Sequence, residues 1–161
     1  MTREELYKYI ERIDDPKKDF GKILTNLHST HYFLMDMYKK ILKPYDLTLT
    51  QSSVLGIIVH HSPDAIALED IKAMILEPNS DVSRTVVRLA AKGFVEKVIN
   101  KTNRRKVSIR ALPKGIKMAK KLILDPEFTN LTAGISLAEA KAFVKFLKRL
   151  RKAHVKSAKT P

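Results

Sequence analysis

Apolar residues recur at three- and four-residue intervals over most of the chain and switch to alternation only once, a pattern of helices interrupted by a single hairpin. Leu6, Tyr7, Ile10 and Ile13 mark a short amphipathic helix over 1–15 that stops at Asp14-Asp15-Pro16. A longer run from about Lys17 to Leu42 carries Phe20, Ile23, Leu24, Leu27, His31, Leu34, Met35, Tyr38 and Ile41 at helical spacing. It closes at Lys43-Pro44, because the residue before a proline resists helical dihedrals. Thr50 is placed to cap a helix from Gln51 to about His60, where Val54, Leu55, Ile57, Ile58 and Val59 leave almost no polar side. A helix apolar on most sides belongs at the centre of a core.

Ser62-Pro63-Asp64 reads as a turn, Ala65-Ile66-Ala67 as a very short strand, and Leu68, Ile71, Met74 and Ile75 as a helix of about two turns. Glu77-Pro78-Asn79 breaks that helix. Asn79 or Ser80 is predicted to cap the next, which runs through Lys92 to a left-handed Gly93. Phe94–Ile99 and Lys106–Ala111 are rich in β-branched residues and flank a polar loop, as two antiparallel strands would. Pro113 suits the first turn of a helix to about Leu124, ended by Asp125-Pro126. Ser136 with Glu139 forms a capping box for a last helix to about His154, and Ser157–Pro161 is expected to fray. No internal repeat is present. The middle of the chain reads as a helix-turn-helix followed by a wing.

Composition narrows what such a chain can do. With 161 residues, 44% hydrophobic and 30% charged, it has enough apolar material for one folded domain and is not a disordered segment. The absence of cysteine excludes disulfides, thiolate metal sites, cysteine nucleophiles and thiol redox sensing. The longest apolar stretch, Val54–Val59, is far too short to span a membrane, and the charged N-terminus has no signal-peptide core, so a cytoplasmic location is expected.

Charge is distributed unevenly. Residues 1–70 hold 9 bases and 11 acids, whereas 71–161 hold 22 bases and 6 acids. Segment 97–124 contains ten bases and no carboxylate, and 141–161 contains eight and none. Such concentration points to a polyanionic partner, nucleic acid ahead of an anionic membrane.

The helix after the break carries the sharpest candidate chemistry. Its spacing turns Val82, Val86, Leu89 and Ala90 inward and gathers Asp81, Arg84, Thr85, Arg88 and Lys92 on the opposite face. In a major groove Arg84 can fork onto guanine, Ser83 and Thr85 can reach a base or phosphate, and Asp81 can accept from cytosine. Any solvated helix shares this spacing; the basic loop and the flanking break tip the reading toward nucleic acid. Arg104 and Arg105 at the hairpin tip suit a narrow minor groove, with Lys101 and Lys106 on phosphates to either side. A merely solubilising turn would mix signs.

Four motifs in this order resemble the multiple-antibiotic-resistance-regulator (MarR) family. They are Leu47-Thr48-Leu49-Thr50-Gln51, Asn79-Ser80-Asp81-Val82-Ser83-Arg84, Leu89-Ala90-Ala91-Lys92-Gly93-Phe94-Val95 and Asn103-Arg104-Arg105-Lys106-Val107-Ser108-Ile109. The resemblance covers about Lys17 to His154. It implies a mainly α (α+β) fold, a winged helix-turn-helix with N- and C-terminal dimerisation helices. A helical extension over 1–16 would precede a domain over 17–155, whose DNA-binding core is 47–112 and whose dimerisation helices are 17–43 and 113–155. Residues 156–161 would form a disordered tail.

The resemblance further implies a homodimer that binds double-stranded DNA at a pseudo-palindromic operator, mostly as a repressor, and is often released by a small aromatic or lipophilic effector. It gives Ser80, Ser83 and Arg84 groove roles and Arg104 or Arg105 the wing role. Together with the stripe and the loop, the candidate DNA-contacting set is Ser80, Asp81, Ser83, Arg84, Thr85, Arg88, Lys101, Asn103, Arg104, Arg105 and Lys106. Three positions depart from the family's pattern: Asn103 replaces the usual Asp before the wing arginines, Pro113 stands where a Thr commonly caps, and Pro78 enters the turn of the helix pair.

His28, His31, Tyr32, Met35 and Tyr38, facing Ile57, Ile58 and His61, describe an apolar cleft with polar ends, as ligand sites have. The same residues suit plain packing in a dimer core, and both readings stay open. A metal held by His28, His31, His60 and His61 is disfavoured, because adjacent His60 and His61 point in different directions; no cofactor is expected. The helix over 137–151 has an apolar stripe and a basic remainder, suited to dimerisation with an outer face that feels DNA rather than to a membrane. No phosphate loop, nucleophile elbow or His–carboxylate spacing indicates an enzyme. The alternative to a sequence-specific regulator is a non-specific architectural protein, although the basic loop lacks aromatics on which bases could stack.

Overall fold

The apolar run that starts near Phe20 becomes one helix, α1 (Asp19–Leu42), in the computed structural model of the chain. The structure describes residues 19–77, 80–99 and 107–157, and before them positions 5, 8 and 12 alone. The helix expected over 1–15 and most of the C-terminal tail therefore lie outside the described residues. Pro44 stops α1 as anticipated, in a 3-10 turn over Lys43–Tyr45. The turn closes on Asp46, whose φ of 51° is left-handed.

The next helix, α2 (Leu49–His60), begins two residues before the predicted start. Its cap is Thr48 rather than Thr50. The Thr48 hydroxyl accepts the Gln51 N–H at 3.2 Å while Gln51 Oε1 accepts the Thr48 N–H at 3.1 Å, a reciprocal box that Thr50 has no partner to form. Thr50 is left free to donate to Glu77 Oε2 at 2.7 Å, tying the start of α2 to the turn before the following helix pair's second member. As its composition demands, α2 is central: Val54, Leu55 and Ile58 are wholly buried.

A two-residue strand, β1 (Ile66–Ala67), leads into α3 (Leu68–Met74), and the helix-turn-helix is completed by α4 (Val82–Ala91). Strands β2 (Val95–Ile99) and β3 (Val107–Ala111) form the hairpin. The sheet is antiparallel in the order β1-β3-β2, with Ile66 opposite Ile109 and Val95 opposite Ala111. Ile109 and Ala111 are buried while Arg110 between them is exposed, the alternation of a half-buried strand. Ile71, Leu89 and Ile109 join α2's side chains in one core.

Two helices complete the described chain after α5 (Pro113–Ile123). A five-residue helix, α6 (Pro126–Asn130), occupies what the sequence suggests is only a stop. Asp125 caps it, accepting the Glu127 N–H at 2.9 Å, and Pro126 fills its first position. The last helix, α7 (Leu137–Ser157), starts at the predicted capping box. The chain divides into two compact units, Met1–Ala119 and Lys120–Pro161. Among the described residues no helix is long and apolar enough to cross a membrane.

The α7 cap has a measurable titration. Ser136 donates its hydroxyl at 2.6 Å and its N–H at 2.8 Å to Glu139 Oε2, and these donors hold the carboxyl below its usual value of 4.5. A depressed folded-state value stabilises above the ordinary carboxylate range and is lost as pH falls through it. Removing the hydroxyl in Ser136→Ala is expected to return the Glu139 titration toward 4.5, as carbon-detected NMR would show. An unmoved titration would mean that the hydroxyl does not hold the carboxylate.

Candidate nucleic-acid interface

Helix α4 is built to present one face. Val82, Val86 and Leu89 are buried against the core, leaving Ser83, Arg84, Val87 and Arg88 exposed. The Asp81 carboxylate caps the helix by accepting the Arg84 N–H at 2.9 Å. The predicted cap falls elsewhere. Asn79 lies outside the described residues, and Ser80 belongs to the turn, donating its hydroxyl to Glu77 O at 2.9 Å.

Two members of the predicted stripe leave it. Thr85 is turned inward at 9% exposure, its hydroxyl donating to Asp81 O at 2.9 Å within the helix; the groove-facing role expected of it is corrected. The cause is its position three residues after Val82, on the core side of the turn. Lys92 turns away to the Asp46 carboxylate and carbonyl. Asp81 stays exposed, with its carboxylate accepting the cap N–H and lying 3.5 Å from Arg84.

Arg84 and Arg88 remain, one helical turn apart on the outer face. The exposed Asp81–Arg84 pair is worth at most about 1 kcal/mol, little enough for a phosphate or base edge to displace. Among the described residues Arg88 faces no carboxylate within ion-pair distance. Val87, which spacing assigns to neither face, is 50% exposed beside them. An apolar side chain there can meet a thymine methyl. No sequence signal singles it out, since valine ordinarily marks a core position.

The C-terminus of α4 sets the root of the wing. Gly93 has φ 72°, and the Gly93 and Phe94 N–H groups donate to Ala90 O and Leu89 O at 2.9 and 3.0 Å. This is a Schellman closure, with buried Phe94 and Leu89 as its apolar contact. Lys114 on α5 donates to Lys92 O at 2.8 Å and lies 5.2 Å from the centroid of the Phe94 ring. Gly115 lets α5 approach so closely that a Cβ there would stand 2.9 Å from the Phe94 carbonyl carbon and nearer still to its oxygen. On the hairpin, Glu96 and Arg110 sit opposite each other and meet at 3.5 Å. Lys101, Asn103, Arg104, Arg105 and Lys106 lie outside the described residues.

Two of the residues expected to share a ligand cleft, Met35 and His31, line adjoining clefts. Met35 lines a cleft of about 610 Å³ with Leu47, Thr48, Leu49, Thr50 and Glu77. His31 lines an adjoining one of about 760 Å³, which shares Thr48, Thr50, Gln51 and Glu77 with the first and reaches Arg84 and Arg88. Neither takes in His28, Tyr32, Tyr38 or His61. His28 and His31 both meet the Tyr32 ring edge-on, at 4.9 and 5.7 Å, and Tyr32 stays exposed. His61 directs Nδ1 to the Ile57 carbonyl of its own helix at 2.9 Å. Among the described residues no three His, Asp or Glu converge as a metal site.

A helix pair with an exposed basic face on its second helix, followed by a hairpin packed on the same core, is a winged helix-turn-helix. A model of the MarR family matches residues 45–106, which span the winged-helix core. No curated protein matches the sequence. Among solved structures, the chain is similar to the transcriptional regulator SlyA, at 21% identity and TM-score 0.69 over 84% of this chain and 95% of that one. It is similar to S. aureus MepR in a MepR–DNA complex, at 20% identity and TM-score 0.67 over 80% and 96%. A mutant E. coli MarR complexed with operator DNA aligns at 21% identity and TM-score 0.68 over 85% and 99%. At these identities the likeness establishes the fold.

Proposed function

We propose that this chain is a sequence-specific DNA-binding transcriptional regulator that acts as a homodimer and represses from a pseudo-palindromic operator. The observation that carries the reading is α4, whose inner face is locked into the core while Arg84 and Arg88 stay exposed on the outer one. Arg84 reads a guanine, Ser83 and Arg88 contact base or phosphate, and Ser80 marks the entry to the helix. Lys101, Asn103, Arg104, Arg105 and Lys106 supply the wing contacts, the arginines in the minor groove. The family-model match over 45–106 and the DNA named for the MepR and MarR structures support the same polyanion.

Dimerisation is supported by apolar residues left exposed on the flanking helices: Leu24, Tyr32 and Phe33 on α1, and Phe143 and Leu150 on α7. A soluble chain rarely leaves so many apolar residues uncovered without a partner. In this reading 47–112 is the DNA-binding core and 17–43 and 113–155 pair the protomers, setting the recognition helices about 34–36 Å apart. Release by a small aromatic or lipophilic ligand is part of this reading; the cleft beside Met35 offers the apolar Leu47 and Leu49, with Lys39, Lys43, Lys92, Asp46 and Glu77 as its charged lining.

Fluorescence anisotropy with the duplex upstream of the chain's own coding region and a scrambled duplex tests the reading, with light scattering for mass. The expected result is a dimer preferring the upstream duplex by roughly 10³ or more. Equal affinity for every duplex tried, upstream or genomic, would replace the regulator with an architectural protein.

A further inference from the structure

Helix α7 carries a second charged surface remote in sequence from α4 and the wing. Lys141, Lys145, Lys148 and Lys152 follow one another at intervals of four, three and four residues, and all are exposed. At about 100° per residue they fall within roughly 60° of the helix circumference and extend about 16 Å along its axis. Arg149 borders the row. The apolar positions Phe143, Phe146, Leu147 and Leu150 fall on the other side of the helix.

No acid relieves this row. Residues 141–161 contain no carboxylate, and the one acid of α7, Glu139, is held by Ser136 at the helix start. Among the described residues, none of the four lysines or Arg149 is within ion-pair distance of a carboxylate. Like charges at i, i+4 destabilise a helix, and a polyanion laid along the row would offset that repulsion.

We propose that the α7 lysine row binds the phosphate backbone of duplex DNA, independently of base sequence, as a contact additional to those of the recognition helix and wing. This rests on the regulator reading above, in which the apolar side of α7 pairs protomers and the lysines stay outward. A membrane would need both faces of α7 at once, whereas a duplex needs only the basic one. One strand of B-DNA offers about five phosphates over the length of the row. Lysine suits this task as a compact cation that tracks phosphates without requiring a fixed geometry.

The test compares the full-length protein with a Lys141→Gln, Lys145→Gln, Lys148→Gln, Lys152→Gln variant on a 30-base-pair duplex of mixed sequence across a salt series. A control of equal net charge carries Lys8→Gln, Lys22→Gln, Lys39→Gln and Lys40→Gln. Circular dichroism and light scattering establish that each is folded and of unchanged mass. Each lost phosphate contact lowers the slope of log K against log salt by about 0.9. The row variant is expected to be shallower than the control by roughly two to four. Equal slopes for row and control overturn the inference and leave the regulator reading standing. Failure of the unaltered protein to bind any duplex overturns both. Row-dependent binding to phosphatidylserine vesicles with an unchanged duplex slope would assign the row to a membrane and overturn it as well.

Discussion

Arg84→Ala is expected to erase most of the preference for the operator while leaving the fold intact. A well-made arginine–guanine pair discriminates by roughly 1–3 kcal/mol, and a dimer makes it twice, so operator affinity falls by about 30-fold to 10⁴-fold. Affinity for scrambled duplex changes far less, because only the charge is lost there. Stability is spared, since Arg84 is exposed and its pair with Asp81 is a loose 3.5 Å contact. The helix cap also survives, because Asp81 accepts the backbone N–H of residue 84, which alanine retains. Anisotropy with both duplexes, beside a thermal melt, reads the two effects separately. Unchanged operator affinity would remove Arg84 from the groove.

Gly115→Ala is expected to destabilise the protein although it puts the better helix former into a helix. Alanine improves propensity by about 1 kcal/mol over glycine in a helix interior, and less in a first turn. Against that, the new Cβ would overlap the Phe94 carbonyl oxygen and stand 2.9 Å from its carbon. These are backbone atoms, and they cannot rotate away as a side-chain tip can. The same carbonyl accepts the Leu112 N–H at 2.9 Å, and Phe94 leads directly into β2. Overpacking of this kind costs about 1–3 kcal/mol or more. A melting temperature lower by roughly 2–10 °C is the expected reading. Because the strain falls at the root of the hairpin, duplex affinity should fall with it. A rise in melting temperature would mean that α5 does not approach Phe94 so closely.

The elements that depend on local chemistry were legible residue by residue. Ser136 with Glu139, Gly93 after Lys92, Pro44 after Lys43 and the β-branched alternation after Phe94 each act over a few residues, and the structure places each as expected. The misplaced start of α2 was legible too, since Thr48 with Gln51 has the spacing of a capping box and Thr50 does not. The short α6 left a weaker trace, in Asp125 and Pro126 at its start.

What the sequence by itself determined is the helix-turn-helix with its hairpin, the basic character of the second half, and the presence of Arg84 and Arg88 on a solvent-facing helix side. Period and charge depend only on neighbours along the chain. The tertiary structure alone decided which of the stripe's residues leave it: Thr85 turned into the core and Lys92 drawn to Asp46. It also decided that Thr50 binds Glu77 and that Gly115 must be a glycine. Each of these joins segments far apart in the chain or depends on the angle at which a helix meets its core. A few degrees of that rotation choose between a buried hydroxyl and an exposed one, and no local pattern encodes them.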